Sequence, residues 1–509
     1  MDESLRFTSK VGIPTDIVTD IRSRTQIIIK AGSDTMRDYS GQVMLEVAAN
    51  LLARIFPHVA AEIDSIPAEY LKTQQPLDNH LHGVIKDSYI WDGVPEKPKN
   101  TFYLVVGNAP VEGTAVYIDA DGWLSYVGIR PSGLSEKTGI KVPIGPVVSA
   151  CLGVSEIFKI IYKDYIQKNV VLIQDGIWFN SLSYNNEMTP NLNIENLHLN
   201  RVVLFGSGSV GSSLLYVLSF LSEVTGKIDI VDRDKKVDNN NLQRYSFLTV
   251  SDVSYYQGVT KAHWAADKIK RRLSGLNLIP WDGETGEIVK YIDANPLRPG
   301  IKLALSAVDN VEARIQITDC LAERTLNAGT GDTTLTITRH GFSDGKACLA
   351  CDYIAKAPNI NWYQEVSNKT SLTVDRVAIL LQGKALLDRD DLEKMTVKGF
   401  ISIDQVDSLL NTDLSSLVNR RLYSAVNVQN EGIEKPVTAP YVSTMAGALL
   451  AGELLKEVCG LQHAWENNKY RTDMLNLPVN YTTLVPKENK NCLCLNHFRK
   501  QKFKELWPD

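Results

Sequence analysis

The stretch Arg201-Val-Val-Leu-Phe205-Gly-Ser-Gly-Ser-Val-Gly211 predicts a strand, a tight turn and the start of a helix. The run up to Phe205 is apolar and rich in valine, which is typical of a strand buried in a parallel sheet. We expect the following helix to extend from Ser209 to Leu221. Glycines in a strand-to-helix turn let backbone amides approach a phosphate. Taken alone, the turn fits NAD, FAD, ATP, S-adenosylmethionine or a purely structural bend.

A second apolar run, Lys227 to Val231, predicts the neighbouring parallel strand. It ends at Asp232, which lies 21 positions after Gly211. In nucleotide-binding folds a carboxylate at this place meets ribose hydroxyls. Up to this point a dehydrogenase explains the sequence equally well.

An amide and two cations follow that carboxylate, at Asn241, Arg244 and Lys261. These groups can bind a triphosphate and can stabilise the negative charge that develops on its α-phosphate. The run Leu303 to Val308 predicts another buried strand, and Asp309 at its carboxyl end is placed to hold Mg2+. Each group alone would serve as a solvated or helix-capping residue, and a dehydrogenase gives the set no task. Their order therefore predicts a site for ATP, Mg2+ and a carboxylate substrate.

At these residues the chain resembles the ubiquitin-activating superfamily, which includes the ThiF and MoeB adenylyltransferases. Its members share a glycine loop, Asp-x-Asp, Asn-Leu-x-Arg, Gly-x-x-Lys and an Asp-Asn before an Arg. The corresponding residues here are Gly206, Gly208, Gly211, Asp232, Asp234, Asn241-Leu-Gln-Arg244, Gly258-Val-Thr-Lys261 and Asp309-Asn-Val-Glu-Ala-Arg314. The resemblance implies that Asp232 binds ribose and that Asp309 binds Mg2+. It assigns the phosphates to Asn241, Arg244 and Lys261.

The chain departs from the superfamily pattern at two places. The stretch from Asp234 to Asn241 is one residue longer than usual, so Asn240 is the alternative to Asn241. Tyr245 stands where Gln is common.

Four of the seven cysteines form two close pairs, Cys348-Leu-Ala-Cys351 and Cys492-Leu-Cys494. Four thiolates suffice for a closed tetrahedral Zn2+ site that clamps the C-terminal tail to the main domain. Unliganded thiols are the alternative, and a disulfide is disfavoured in a chain without a secretory signal. The superfamily carries zinc at these places, which implies a structural role. The other cysteines lie in apolar helical patterns, as small buried hydrophobes do: Cys151, Cys320 and Cys459.

Superfamily members that form a thioester carry a nucleophilic Cys in the loop before the last long helix. That helix is predicted here at Tyr441 to Val458, and the preceding loop, 420–440, contains no Cys. Either the reaction ends at the adenylate, or the nucleophile is replaced, with Ala425 as the candidate for a Cys→Ala position. Ser424 or Thr438 would need a positioned base that the sequence does not identify.

The N-terminal half resembles a second copy of the same domain. Pro143 to Lys159 matches Pro440 to Lys456 at a constant offset of 297 residues. The predicted strand Gln26 to Lys30 ends in Ala31-Gly-Ser instead of the glycine loop, and no Asn-Leu-x-Arg follows. In the superfamily a basic residue of the opposite copy reaches the phosphates. The candidates are Arg22 and Arg24, with an ordinary surface role as the alternative.

The predicted fold class is α/β, since strand and helix patterns alternate. We predict two Rossmann-like ThiF-type domains that form an intramolecular pseudo-dimer, in place of the two-fold dimer of single-copy members. Residues 1–190 would be the inactive adenylation-like domain and 191–509 the active one, and the Pro- and Asn-rich stretch Tyr184 to Asn200 is the predicted linker. The active domain includes a polar, helical crossover insertion at 355–438 and the zinc-clamped tail. The 509 residues and 44% hydrophobic content leave room for both.

Charge and hydropathy exclude several classes of partner. The net charge of −5 gives no sign of a nucleic-acid partner. No run approaches the ~20 apolar residues of a membrane span, and the N-terminus lacks a signal peptide. We therefore expect a soluble cytoplasmic protein.

The predicted function is activation of a ubiquitin-like protein. The C-terminal carboxylate of that partner would attack the α-phosphate of ATP, and a separate conjugating enzyme would accept the product. Fused inactive and active halves without a conjugating domain resemble the activating components of bacterial ubiquitin-like conjugation operons, such as the Bil antiphage systems. The alternatives are an adenylyltransferase for a sulfur carrier or small peptide without a thioester step, and a non-catalytic nucleotide-binding scaffold.

Overall fold

Two compact units make up the protein. The larger comprises Met1–Ala350, Pro436–Glu488 and Asn496–Asp509, and the smaller comprises Cys351–Lys435 and Asn489–Leu495. The computed structural model describes residues 3–91, 98–134, 136–194, 197–285, 300–342, 344–353, 360–381, 385–412, 414, 417, 438–461, 468–478, 482–483, 488, 492–495 and 497–508. Both sheets belong to the larger unit.

The first sheet is formed by the N-terminal half. Its strands are β1 (Thr25–Ala31), β2 (His58–Glu62), β3 (Asn100–Val106), β4 (Thr114–Asp121), β5 (Leu124–Gly128) and β6 (Gly176–Asn180). They lie in the order β2-β1-β3-β4-β5-β6. The first four in this order are parallel, and β5 and β6 are antiparallel to their neighbours. The buried isoleucines of β1 suit a central strand that is covered on both faces.

The second sheet is formed by the C-terminal half. Its strands are β7 (Leu197–Phe205), β8 (Val224–Asp232), β9 (Leu276–Asp282), β10 (Leu303–Ser306), β11 (Arg324–Thr330), β12 (Thr334–His340), β13 (Lys469–Asp473) and β14 (Thr482–Thr483). They lie in the order β14-β13-β12-β11-β10-β7-β8-β9. From β9 to β11 the pairs are parallel, so these strands have their carboxyl ends at one edge. The remaining pairs are antiparallel.

The two sheets share a core of six strands. In sequence order, β1 to β6 of the first sheet correspond to β7, β8, β10, β11, β12 and β13 of the second. Spatial order and strand direction agree at every one of these positions, with β9 and β14 as additions at the two ends of the second sheet. The chain thus builds the same parallel-rich arrangement twice.

Helices cover both sheets. The N-terminal half contributes α1 (Glu3–Lys10), α2 (Thr15–Arg24), α3 (Ser33–Arg37), α4 (Tyr39–Ala53), α5 (Leu77–Ser88) and α6 (Ile144–Tyr162). The C-terminal half contributes α7 (Ser209–Leu218), α8 (Asn239–Leu242), α9 (Val250–Tyr255), α10 (Lys261–Arg272) and α11 (Val311–Thr318). After the smaller unit come α16 (Pro440–Val458) and α17 (His497–Leu506).

The matching helices α6 and α16 pack against each other, and they pack in turn on α4 and α7. Each carries a buried Glu-x-x-Lys ion pair. The carboxylate–ammonium distance is 2.5 Å between Glu156 and Lys159, and 2.7 Å between Glu453 and Lys456. Tyr184, at the start of the predicted interdomain linker, is buried and donates to Glu453 at 2.8 Å. The contact between the two halves is therefore a packed core.

Contrary to the expectation from the sequence, one helix among the residues that the structure describes has the length and hydropathy of a membrane span. It is α6, and 89% of its most apolar window is buried inside the fold. Its apolar character therefore matches its place between the two sheets.

The smaller unit has a core of its own. It contains α12 (Ile360–Thr370), α13 (Val374–Leu381), α14 (Arg389–Val397) and α15 (Val406–Leu409). Val366, Val377 and Leu392 are among the side chains that are fully buried there. A bidentate ion pair joins Arg376 to Asp391.

Candidate functional site

The glycine turn follows β7 and is closed by backbone contacts. Gly206 has a φ of +89°, a conformation that favours glycine. A Cβ atom on Gly211 would lie 1.9 Å from the carbonyl oxygen of Gly206. A Cβ atom on Gly208 would meet only the Tyr245 hydroxyl, at 3.5 Å. Gly208 is the N-cap of α7 and provides no side-chain cap, so the first amides of this helix are suited to an anion.

Asp232 ends the neighbouring strand and is fixed by hydrogen bonds. One carboxylate oxygen accepts from the Ser207 amide at 2.7 Å and from its hydroxyl at 2.9 Å. The other accepts from the Asp234 amide at 2.9 Å. Burial raises the pKa of Asp232, while these amides and Lys261 partly oppose the shift. The carboxylate is thereby oriented beside the glycine turn.

The predicted amide lies on the short helix α8. Asp238 caps this helix, and the side-chain oxygen of Asn241 accepts from the Asp238 amide at 3.3 Å. Asn241 is buried, whereas Asn240 is exposed. Of the two candidates, Asn241 therefore faces the interior.

Lys261 is the first residue of α10 and is buried. Its ammonium donates to Asp234 at 2.5 Å and to the Tyr245 hydroxyl at 2.9 Å. Burial lowers the pKa of Lys261, but Tyr245 and Asp234 raise it by more, so the net shift is upward. The side chain is a fixed positive charge at neutral pH.

Two cations lie within about 6 Å of the centroid of the Tyr245 ring. The Arg244 guanidinium carbon is 5.9 Å from the ring centroid, and the Lys261 nitrogen is 5.3 Å from it. The carbonyl of Arg244 accepts from the Ser443 hydroxyl of α16 at 3.1 Å. Backbone and ring contacts together fix this cationic pair.

Asp309 follows β10 and is exposed. Because β10 is parallel to β7, Asp309 lies at the same sheet edge as the glycine turn. Asn310 caps α11 by accepting from the Ala313 amide at 2.7 Å, and Arg314 donates to the Val308 carbonyl at 2.6 Å. These contacts fix the turn that carries Asp309, and an exposed carboxylate there fits a hydrated Mg2+ ion.

Two residues at this edge were not predicted as site residues. Ser207 holds Asp232, and Tyr245 holds Lys261. Ser207 stands inside the glycine turn, which is the signal that could have identified it. Tyr245 directly follows Arg244, but its contact with Lys261 joins residues 16 positions apart.

The candidates for a basic residue from the opposite half make contacts within the N-terminal half. Arg22 is buried and lies over Trp91, with 5.5 Å between the guanidinium carbon and the ring centroid. Arg24 pairs with Asp20.

The sulfurs of Cys348, Cys351, Cys492 and Cys494 all lie within 4.8 Å of one another. The Cys351 and Cys494 sulfurs are 3.6 Å apart. A tetrahedral site with Zn–S bonds of about 2.3 Å places its sulfurs about 3.8 Å apart. The four thiols therefore fit a Zn2+ ion.

The other cysteines do not resemble nucleophiles. Burial raises the pKa of the Cys151 and Cys459 thiols, and Cys320 is buried. Ala425, the predicted position of a replaced nucleophile, lies outside the described residues.

Comparison with known proteins gives two family matches. The model of the ThiF family matches residues 182–495, and that of the BilD N-terminal domain matches residues 26–169. The uncharacterized protein y4jF of Sinorhizobium fredii is 24% identical over 434 residues, which cover 82% of this chain and 79% of that protein. The matches confirm the resemblance to the ThiF and MoeB superfamily and to the Bil-type activating component.

Proposed function

Because the chain belongs to the ThiF family, and is thus an E1-like adenylyltransferase in general terms, we propose that it adenylates the C-terminal carboxylate of a ubiquitin-like protein with ATP. The observation that carries this proposal is the buried Lys261 ammonium, held between Asp234 and Tyr245. It lies beside the edge that carries Asp232 and the glycine turn. A dehydrogenase has no use for a fixed cation there.

In the proposed reaction, a carboxylate oxygen of the partner forms a bond to the α-phosphorus of ATP. The bond from that phosphorus to the bridging oxygen breaks, and pyrophosphate leaves. Lys261 and Arg244 would offset the charge that develops on the phosphate, with Asn241 as a further donor. Asp309 would hold Mg2+, which neutralises the phosphate oxygens. This step requires no protein nucleophile, since positioning and charge supply the catalysis.

The next step is proposed to be transfer to a thiol of a separate conjugating enzyme. None of the seven cysteines, all of which lie in the described part of the chain, is an exposed thiol outside the four-sulfur cluster. If the native gene encodes Cys at position 425, that thiol would carry an intermediate thioester. If it encodes Ala425, the adenylate would pass directly to its acceptor, as an adenylyltransferase for a sulfur carrier does. The Bil resemblance suggests a role in antiphage defence.

We propose further that the two halves are an intramolecular pseudo-dimer. The shared six-strand order and the packing of α6 on α16 support this proposal. In this arrangement residues 1–190 are a copy without chemistry, and residues 191–509 contain the active copy.

The N-terminus of α4 supports the loss of chemistry in the first copy. Where α7 has Gly208 as its cap, α4 has Asp38, whose carboxylate accepts from the Gly41 amide at 2.5 Å. A carboxylate at this place repels a phosphate. Lys137 from the loop after β5 donates to Asp38 at 2.9 Å and to Asp119 at 2.7 Å. The amide end of α4 is thus bound by the Asp38 carboxylate, and Lys137 neutralises that carboxylate.

ATP–pyrophosphate exchange tests the proposal. The intact protein would be assayed with Mg2+, with and without small Gly-terminated proteins encoded next to its gene. We expect exchange only with the cognate partner, and a loss of about 100-fold or more in Asp309→Ala. Asp164→Ala, which removes an exposed carboxylate in a surface turn, is the matched control and should retain full exchange.

The outcomes separate the alternatives. Exchange that depends on both a partner and Asp309 supports carboxylate adenylation and identifies the substrate. ATP binding without exchange for any partner would leave the nucleotide-binding scaffold as the better account.

A further inference from the structure

Three polar side chains on one face of α4 reach from the N-terminal half into the C-terminal half. Glu46, Asn50 and Arg54 are spaced four residues apart, so they lie in one row along the helix. All three are buried. Glu46 accepts from the Tyr216 hydroxyl at 2.9 Å and from Arg272 at 3.3 Å, which anchors the row to α7 and α10.

Arg54 is a fully buried guanidinium that binds backbone instead of a carboxylate. It donates to the carbonyls of Leu242, Ser246 and Leu248, the last at 2.6 Å. In the part of the chain that the structure describes, no carboxylate is within ion-pair distance of it. Burying a charge that has no oppositely charged partner costs free energy. A guanidinium offers several N–H donors, so the benefit that offsets this cost is the binding of several carbonyls by one side chain.

Asn50 completes this contact. Its side-chain oxygen accepts from Arg54 at 2.7 Å, and its amide donates to the Ser246 carbonyl at 2.9 Å. In return Gln243 donates to the carbonyl of Arg54 at 3.3 Å. The backbone from 242 to 248 is thus bound to the end of α4 at several points.

The bound segment contains Arg244 and Tyr245. The carbonyls that Arg54 holds lie on both sides of these two residues, and Ser443 holds the Arg244 carbonyl between them. We propose that Arg54 is a positioning residue: it fixes the backbone that aims Arg244 and the Tyr245–Lys261 pair at the phosphates. This inference rests on the proposed adenylation. It gives the copy without chemistry a task in the reaction of the other copy.

A double-mutant cycle tests this role. Arg54→Met should lower the rate constant of pyrophosphate exchange by about 10- to 100-fold, since small displacements of reacting groups have effects of this size. In an Arg244→Ala background, the same change should lower the rate by a clearly smaller factor, because one of the two groups that it positions is absent and only the Tyr245–Lys261 pair remains. Equal losses in both backgrounds would overturn the proposal.

Tyr39→Phe is the matched control. The Tyr39 hydroxyl also extends from α4 to a backbone carbonyl of the other half, that of Phe220, at 3.1 Å. It does not touch the segment 242–248. We expect exchange to be unchanged in this variant, and a loss as large as that of Arg54→Met would mean that any disturbed contact between the halves slows the reaction.

Hydrogen exchange provides a readout that needs no partner or activity. Amides at 242–248 should lose protection in Arg54→Met, while those of α7 keep theirs. Unchanged protection of this segment would overturn the proposal even if wild-type protein exchanges no pyrophosphate. If the segment loses protection in Arg54→Met but the wild-type protein exchanges no pyrophosphate, the structural contact is supported and the proposed adenylation is wrong. Thermal unfolding of each variant confirms that it is folded.

Discussion

Tyr245 joins the two cations of the candidate site. Its hydroxyl accepts from Lys261, and its ring lies near the Arg244 guanidinium. The superfamily pattern has Gln more often at this position, and an amide would offer no aromatic face. The tyrosine therefore replaces a hydrogen-bonding group by one that also stabilises charge.

Lys261→Met tests the charge at the residue scale. The change keeps a long side chain but removes the fixed cation, so we expect partner-dependent pyrophosphate exchange to fall by about 100- to 1,000-fold. Lys270→Met removes an exposed lysine from the same helix and should have no effect. Similar rates for both variants would show that Lys261 only stabilises the fold.

The sequence predicts Asp232 and Asp309 at the carboxyl ends of two strands, and in the structure Asp232 is the last residue of β8 and Asp309 follows β10. The roles of these two residues and of Lys261 at the nucleotide stay predictions. No such sequence pattern marks Arg54, because, apart from the neighbouring Asn50, its acceptors are backbone carbonyls about 190 positions away. A backbone acceptor leaves no trace in residue type, so this contact was beyond sequence reasoning.

At the scale of single elements, α16 is constrained by its closeness to α7. A Cβ atom on Gly447 would lie 2.6 Å from the Ser213 Cβ and 2.7 Å from the Leu214 nitrogen. A Cβ atom on Gly452 would come no closer than 3.4 Å to Ile144 and Trp123. Two glycines of one helix thus differ in the space around them.

This difference predicts opposite tolerance to alanine. Gly447→Ala should lower the free energy of unfolding by about 1–3 kcal/mol, because the backbone of α7 must move. Gly452→Ala should lie within about 1 kcal/mol of wild type, since helix propensity offsets mild crowding. Urea unfolding of both variants measures the two values. Equal stabilities would mean that α7 shifts freely.

The buried lysine of α16 predicts a pH dependence. Burial lowers the pKa of Lys456 to about 8, against an opposing effect of Glu453. Below pH 8 the folded and unfolded states both carry the proton, and the full cost of burying the charge is present. Above pH 8 only the unfolded state retains it, so the free energy of unfolding rises towards pH 10.5.

Lys456→Met isolates this contribution. Between pH 7 and pH 9 we expect wild type to gain about 1 kcal/mol relative to the variant. Urea unfolding at the two pH values, for both proteins, gives the comparison. Parallel pH dependence would show that Lys456 keeps its proton in the fold.

The sequence also predicts several of the strands and helices, but not all of their boundaries. The long helix α16 is predicted from Tyr441 and begins one residue earlier, at Pro440, which suits the first position of a helix. The predicted linker Tyr184 to Asn200 already contains the start of β7. The polar and proline residues of this stretch gave no sign that Tyr184 is buried and donates to Glu453.

On the scale of the whole molecule, the four-sulfur cluster brings together cysteines from distant parts of the chain. We expect one Zn2+ per chain, detected by plasma mass spectrometry. Cys494→Ser should lose the metal and lower the melting temperature by roughly 5 °C or more, because metal binding contributes to folding. Cys459→Ser, outside the cluster, should retain it. A metal-free protein with unchanged stability would favour plain reduced thiols.

Because α6 and α16 belong to one polypeptide, their contact does not depend on how many molecules are present. Two separate chains stay together only while their concentration exceeds the dissociation constant of the pair. A covalent connection replaces that requirement by an effective local concentration, on the order of millimolar for flexibly joined partners. Dilution would therefore leave these halves assembled, and a cell with only a few copies would hold each one intact.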